Sequence, residues 1–263
     1  IRAKQVVISS GSIERPIVFG NNDTPGVVLA SAAKEYMKVY GVLVGKKPVV
    51  FTNNDSAYET AIEFKKNNIN PIVLDSRQDS NSEIIKEAKS LGIDIKFSHV
   101  VVAAKGYKKV KSCDIAEISE DKQNLNQIKN IECDCICVSG FWTPTVHLAS
   151  QSGGKTKFKE EIDAFVPDKS KQKEVTLGSA NGVFTLEETL KTSFDKGFEL
   201  SKEITNNNNS QQIPKVSEKK HSKHDKFWCV PLPKGKKYKR FLDFQNDVAV
   251  SDIELAIREG YRS

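Results

Sequence analysis

The chain has 263 residues, 38% hydrophobic and 28% charged, with a formal net charge of +6. That is enough apolar material for one or two globular domains, and no apolar run approaches membrane-spanning length or reads as a signal peptide. The positive excess is spread out rather than gathered with interleaved aromatics, which speaks against nucleic acid as a partner.

In chain order, a strand at 5–8 runs into a turn at Gly11. Pro25-Gly26 signals another turn, and 27–40 reads as a helix carrying the small residues Ala30, Ser31, Ala32 and Ala33. Residues 48–52 read as a buried strand, and Asp55 or Ser56 can cap a helix reaching about Lys66. A strand at 71–74 ends at Asp75, and a helix at 82–91 stops at Gly92. Strands follow at 93–97 and 100–104, a meander at 108–118 and a strand at 133–139. Strand–helix alternation followed by a short antiparallel insertion gives an α/β class with a parallel sheet. Beyond Pro144, 175–177 reads as a strand entering Gly178 and 186–204 as a long helix. Residues 206–226 form a polar, Asn- and Lys-rich linker. A last helix at 250–259 is capped by Ser251 and ended by Gly260.

Between the strand at 48–52 and the helix after it, a dinucleotide fingerprint would place G-x-G-x-x-G/A. The context fits: a strand, a tight turn, a helix, and an acid, Asp75, about twenty residues on. The glycines do not. Thr52 and Asn54 stand in the two glycine positions, and Ala57 alone matches, at the helix-packing position. Asn54 can adopt a left-handed conformation, so the turn survives. The added Cβ atoms and the Asp55 carboxylate would crowd and repel a phosphate. Asn54 and Asp75 are the candidate dinucleotide contacts if this half binds one; otherwise it is a Rossmann-like domain kept for its shape.

Cys133, Cys135 and Cys137 alternate along one strand, which sends their side chains to one face. With no C-x-x-C knuckle they read as small buried thiols rather than metal ligands. Cys113 and Cys229 are isolated, and the usage suits a reducing cytoplasm. His147 has no nucleophile motif beside it and reads as packed in a loop against Trp142 rather than as a base. His221 and His224, three apart among lysines, read as part of a solvated linker rather than a metal site. No catalytic residue and no metal ligand is assigned.

The opening strand enters Ser9-Ser10-Gly11-Ser12 and then Pro16. This is similar to the crossing between the two dinucleotide-binding halves of a two-domain flavoprotein, so the chain is expected to be the middle of a larger subunit. More specific stretches are Glu14-Arg15-Pro16-Ile17-Val18-Phe19, Asn22-Asp23-Thr24-Pro25-Gly26-Val27, Thr52-Asn53-Asn54-Asp55, Ser139-Gly140-Phe141-Trp142-Thr143-Pro144, Ser150-Gln151-Ser152-Gly153-Gly154-Lys155, Ala180-Asn181-Gly182-Val183-Phe184 and Asp243-Phe244-Gln245-Asn246-Asp247-Val248. In this order they resemble the alpha subunit of heterotetrameric sarcosine oxidase. The resemblance implies a partial two-dinucleotide-binding-domain flavoprotein fold of α/β class with a small helical C-terminal remnant. It divides the chain into a connecting segment from the first half (1–40), a degenerate Rossmann-like NAD(P)-type domain (41–140), a return to the first half (141–205), the linker (206–226), and an iron–sulfur-domain-like helical segment (227–263).

The resemblance further implies NAD held where relatives hold FAD, with Ser10, Gly11, Gly178, Ser179, Asn181 and Gly182 as its contacts. Ser179 stands where related flavoproteins carry the Asp that anchors the flavin. FAD and FMN lie on another subunit, and tetrahydrofolate collects the methylene group in a further domain. The partners implied are the beta, gamma and delta subunits of a cytoplasmic enzyme that demethylates sarcosine with oxygen; the chain alone is expected to be inactive. Related dehydrogenase subunits carry Cys-x-Cys for a [2Fe–2S] cluster where this chain has Asp243 and Gln245. Cluster ligation needs thiolates, so the helical segment at 250–261 is expected without a cluster, its apolar side (Ile253, Leu255, Ala256, Ile257) packed on the nucleotide domain or a partner. The alternatives are the matching subunit of a dehydrogenase for dimethylglycine, proline or an opine, and an interaction module without nucleotide.

Overall fold

The computed structural model describes residues 3–205, 213, 215–216 and 224–262. His221 and most of the expected linker lie outside the described residues. The strands are β1 (Val6–Ile8), β2 (Ser12–Glu14), β3 (Val27–Leu29), β4 (Pro48–Thr52), β5 (Ile72–Asp75), β6 (Asp94–Phe97), β7 (His99–Lys105), β8 (Ser112–Ile118), β9 (Leu125–Glu132), β10 (Cys135–Ser139), β11 (Trp142–Pro144), β12 (Thr156–Lys159), β13 (Ala164–Pro167), β14 (Glu174–Thr176), β15 (Phe241–Asp243) and β16 (Val248–Ala249). The helices are α1 (Ala30–Tyr40), α2 (Ser56–Lys66), α3 (Glu83–Ser90), α4 (His147–Gln151), α5 (Leu186–Thr205) and α6 (Val250–Arg258). The chain divides into two compact units, one of residues 1–13 and 142–219, the other of 14–141 and 220–263. Residues 14–40 thus fall in the same unit as 41–141, as do 227–263.

The larger unit is built on a parallel sheet in the order β3-β10-β4-β5-β6. Apolar residues alternate across it. Val49, Phe51, Leu74, Ile136 and Val138 face one hydrophobic core with the antiparallel meander β7-β8-β9, while Val50, Val73, Cys135 and Cys137 face a second core under α1, α2 and α3. A strand buried on both faces, such as β4 with all five residues buried, is what a parallel sheet between two layers demands. Helix α1 lies on α2 through Ala30, Ala33 and Ala61, and the Thr60 hydroxyl donates to the Ala30 carbonyl at 2.8 Å. Small residues there let the helices approach closely.

Several expectations are corrected. Val27–Leu29 is not helical. It is an edge strand paired with β10, Ile136 opposite Val27, because an apolar triplet beside an existing strand gains a ladder it cannot find in a helix start. Strand β9 is an addition to the sequence reading: its apolar residues Leu125, Ile128 and Ile131 recur every three rather than every two, and its register on β8 and the packing of Leu125 and Ile131 on the core hold it. Helix α6 starts at Val250 rather than being capped by Ser251, and the Asp252 carboxylate accepts the Ala249 N–H at 2.8 Å. None of the α6 residues is buried, with Ile253, Leu255 and Ile257 exposed, so its apolar side is unpacked among the described residues.

In the smaller unit β1 and β14 pair in parallel, Ile8 opposite Thr176, and β12-β13 form a hairpin, Thr156 opposite Pro167. After β14 a 3-10 turn at Gly178–Asn181 leads to α5.

Candidate functional site

The six residues assigned to NAD all fall in the smaller unit. Ser10 and Gly11 follow β1, and Gly178 to Gly182 follow β14. Because β1 and β14 are parallel neighbours, these two segments leave the same end of the strand pair, the carboxyl end where open parallel sheets take ligands. The Leu177 N–H donates to the Ile8 carbonyl at 2.9 Å and carries the pairing to the edge of both turns. The first turn is braced by Thr145: its N–H and hydroxyl both donate to the Gly11 carbonyl, at 3.0 and 2.6 Å, and the Ser10 hydroxyl donates to the Thr145 carbonyl at 3.0 Å. A Cβ on Gly11 would meet nothing within 4 Å, so the backbone there faces open space. Gly182 is required by both conformation and packing. It has φ 72°, and a Cβ would lie 2.8 Å from Ile162 Cδ1 and 2.9 Å from Val166 Cγ1. Asn181 is exposed and Ser179 half-buried. These turns fit one wall of a nucleotide site, offering open backbone and small polar side chains.

Asn54 and Asp75 belong to the other unit, at the carboxyl ends of β4 and β5. Both are buried, 1% and 0% exposed. Asn54 does not take up the expected left-handed conformation; it is absent from the positive-φ residues. Its amide instead knots the turn. Nδ2 donates to Ser139 Oγ at 3.1 Å and to Asn53 Oδ1 at 3.0 Å, while Oδ1 accepts the Ser56 N–H at 2.9 Å. Asn54 therefore satisfies the first helix amide, and the Asp55 side chain does not cap α2. Asp75 receives the Tyr58 hydroxyl at 2.7 Å and the Arg77 guanidinium at 2.7 and 3.0 Å. Arg77 also reaches Asp55 at 2.8 Å. Burial works against the Arg77 charge, but its bonds to Asp75 and the two carboxylates outweigh that and raise its pKa above the usual value. Burial first, and then the Asp75 charge, pushes the Tyr58 hydroxyl up. Sequence reasoning missed Arg77. It lies only two residues past Asp75, and nothing in the pattern shows that its side chain folds back across the strand ends.

The remaining candidates sort as follows. His147 is exposed at the start of α4 rather than packed in a loop. The His224 ring stacks on Phe141, centroids 4.0 Å apart and planes 6° apart. Cys135 and Cys137 share a face and lie 3.6 Å apart, but Cys133 breaks the row. It sits in the other core, where it hydrogen-bonds with Cys113, so Cys113 is not isolated. No cluster of metal-binding side chains occurs among the described residues. Asp243 holds a turn: its carboxylate accepts the Gln245 N–H at 2.8 Å and the Asn246 side chain at 2.7 Å, closing the β15-β16 hairpin.

One unit has a parallel sheet layered between helices and a meander, and the other a parallel strand pair that ends in Gly-containing turns; each is the kind of element that dinucleotide-binding folds are built from. Solved structures agree. L-proline dehydrogenase from P. horikoshii superposes with a TM-score of 0.58 at 21% identity, covering 98% of this chain and 46% of that one. Thioredoxin reductase from T. acidophilum gives 0.56 at 18%, covering 70% and 60%. Residues 237–263 match the family model of the sarcosine oxidase A3 domain. The whole chain is 33% identical to the sarcosine oxidase alpha subunit of Corynebacterium sp. (strain P-1), of which it spans 28%. The resemblance to sarcosine oxidase alpha subunits therefore holds along the full length of this chain. No helix among the described residues is long and apolar enough to cross a membrane.

Proposed function

We propose that this chain is the nucleotide-holding and scaffolding part of an alpha subunit in a sarcosine oxidase of the heterotetrameric kind. Similarity along the whole of this chain to part of such a subunit, 28% of its length, carries the reading. NAD lies against the carboxyl ends of β1 and β14, with Ser10, Gly11, Gly178, Ser179, Asn181 and Gly182 as its contacts on this chain. The open backbone at Gly11 supports that placement. The assembled enzyme, with beta, gamma and delta subunits in the cytoplasm, demethylates sarcosine to glycine, using oxygen and tetrahydrofolate. FAD and FMN on another subunit supply the redox chemistry. This chain's own groups position the nucleotide and brace the assembly, and none of them is assigned to the reacting atoms.

The test is Gly11→Leu in the full-length alpha subunit co-expressed with its partners. Open space accepts the side chain, and the left-handed backbone, φ 77°, costs about 1–2 kcal/mol. The expected result is an assembled enzyme that has lost its bound NAD, measured by enzymatic cycling after denaturation. Full NAD content in the variant refutes the placement.

A further inference from the structure

The Rossmann-like half has the topology of a dinucleotide site but not its vacancy. We propose that the crevice at the carboxyl ends of β4 and β5 is filled from within, by the buried Asp55–Arg77–Asp75 triad and by residues 225–230, and is closed to dinucleotides. In an open site the helix N-terminus and the turn amides meet a pyrophosphate, and the strand-end acid meets a ribose. The Asn54 and Ser56 amides and the strand-end acid each have a partner inside this protein. The Asn54 N–H donates to Thr52 Oγ1 at 3.1 Å and the Ser56 N–H to Asn54 Oδ1 at 2.9 Å. An anion already sits at the start of the 11-residue helix α2: the Asp55 carboxylate, 2% exposed and neutralised by Arg77. Asp75 is taken up by Tyr58 and Arg77, which leaves it nothing for a hydroxyl.

The backbone of residues 225–230 lies where a bound molecule would pair with the turn. The Asp225 N–H donates to the Asn53 carbonyl at 2.9 Å, and Asn53 Nδ2 donates back to the Asp225 carbonyl at 2.7 Å. The strap is anchored on its other side by Val18, whose N–H donates to the Trp228 carbonyl at 2.8 Å and whose carbonyl accepts the Val230 N–H at 2.8 Å. The Arg15 guanidinium stacks 3.7 Å from the Trp228 ring, and Lys122 pairs with Asp225. The space left beside the triad, about 380 Å³, is lined by Asp79, Glu120 and Asp225 as well as Lys122 and Arg77. With Arg77 shared between two carboxylates, that lining repels a diphosphate.

The inference is independent of NAD in the other unit, and the test keeps them apart. The 15N-labelled chain is titrated with NAD, NADP and ADP to roughly 1 mM, the weak end of specific affinity, while its amide resonances are followed. Residues 52–58 and 75–79 should not shift with any of the three; saturable shifts there overturn the proposal. Shifts at 9–12 and 177–183 report the other site, whatever happens here. A second arm reads the strap: Asn53→Asp, which keeps the Oδ1 acceptor for Asn54 and removes the Nδ2 donor to the Asp225 and Phe227 carbonyls, should speed hydrogen exchange at Asp225 and Phe227 as well as at Asn54 to Ser56, by about tenfold, the scale of one lost hydrogen bond. Unchanged exchange refutes the sealing role.

Discussion

Removing the Arg77 guanidinium should unfold much of this protein's stability margin. Arg77 is 7% exposed, Asp55 2% and Asp75 0%, so solvent cannot screen the pair of carboxylates left behind. Arg77→Met keeps the apolar stem and deletes the charge. Breaking a buried ion pair by removing one partner costs about 3–5 kcal/mol, against a typical total of about 5–15 kcal/mol for a domain. The stranded Asp55, at the start of α2, and Asp75, at the end of β5, are the two carboxylates that Arg77 joins, and without it they repel each other at the carboxyl edge of the sheet. Urea unfolding followed by Trp228 fluorescence, in a Trp142→Phe background, reports on the unit that holds the triad. Neutralising all three residues, with Asp55→Asn and Asp75→Asn added, should return the unfolding free energy to within about 1–2 kcal/mol of the parent, because no unpaired charge remains. A loss below about 1 kcal/mol for Arg77→Met alone, the scale of an exposed pair, would refute the claim that the triad is a dry, closed unit.

Glu14 is buried, and burial raises its carboxyl above the ordinary 4.5 despite bonds from Ser31. The folded state then binds this proton more tightly than the unfolded chain, so stability falls as pH rises from about 4.5 through the raised value. Glu14→Gln keeps the acceptor for the Ser31 N–H and cannot ionise. Its Tm should match the parent near about pH 4 and exceed it near about pH 7; an equal difference at both counts against the buried carboxyl. Ellman's reagent should find at most the half-buried Cys229 in the native chain, slowly because burial pushes that thiol up, and all five cysteines after denaturation. Fast reaction of a second thiol would contradict the packing of the two cores that hold the other four. Asp243→Ala should quicken exchange at Gln245 and Asn246, whose N–H groups it accepts at 2.8 and 3.2 Å, and the chain purified anaerobically should carry neither iron nor acid-labile sulfide. Stoichiometric iron would restore a cluster-holding role to this segment.

Local patterns made the class legible. The apolar run at Pro48–Thr52, the turn after it and the helix from Ser56 announce a strand–turn–helix unit without reference to any distant residue, and lost glycines at Thr52 and Asn54 are visible letter by letter. Glycines and small polar residues at Ser10-Gly11 and Gly178-Ser179 are likewise local signals, and the family resemblance rests on short runs of this kind. Three features needed the tertiary structure. Val27–Leu29 could serve a helix or a strand, and the β10 edge, more than a hundred residues on, decides for the strand. Strand β9 lacks the two-residue alternation of a strand, and the ladder on β8 with Leu125 and Ile131 on the core decides for it. The closed crevice joins Asp55 to Arg77 and Asn53 to a strap at Asp225, 22 and 172 residues apart respectively. Sequence periodicity reports what a segment does about its own axis; it is silent on which charge a guanidinium will find once strands far apart in the chain lie about 5 Å from one another. The chain's letters therefore determine the layered α/β architecture and the loss of the fingerprint, while only packing decides that the vacated site is filled by the protein's own carboxylates, arginine and backbone.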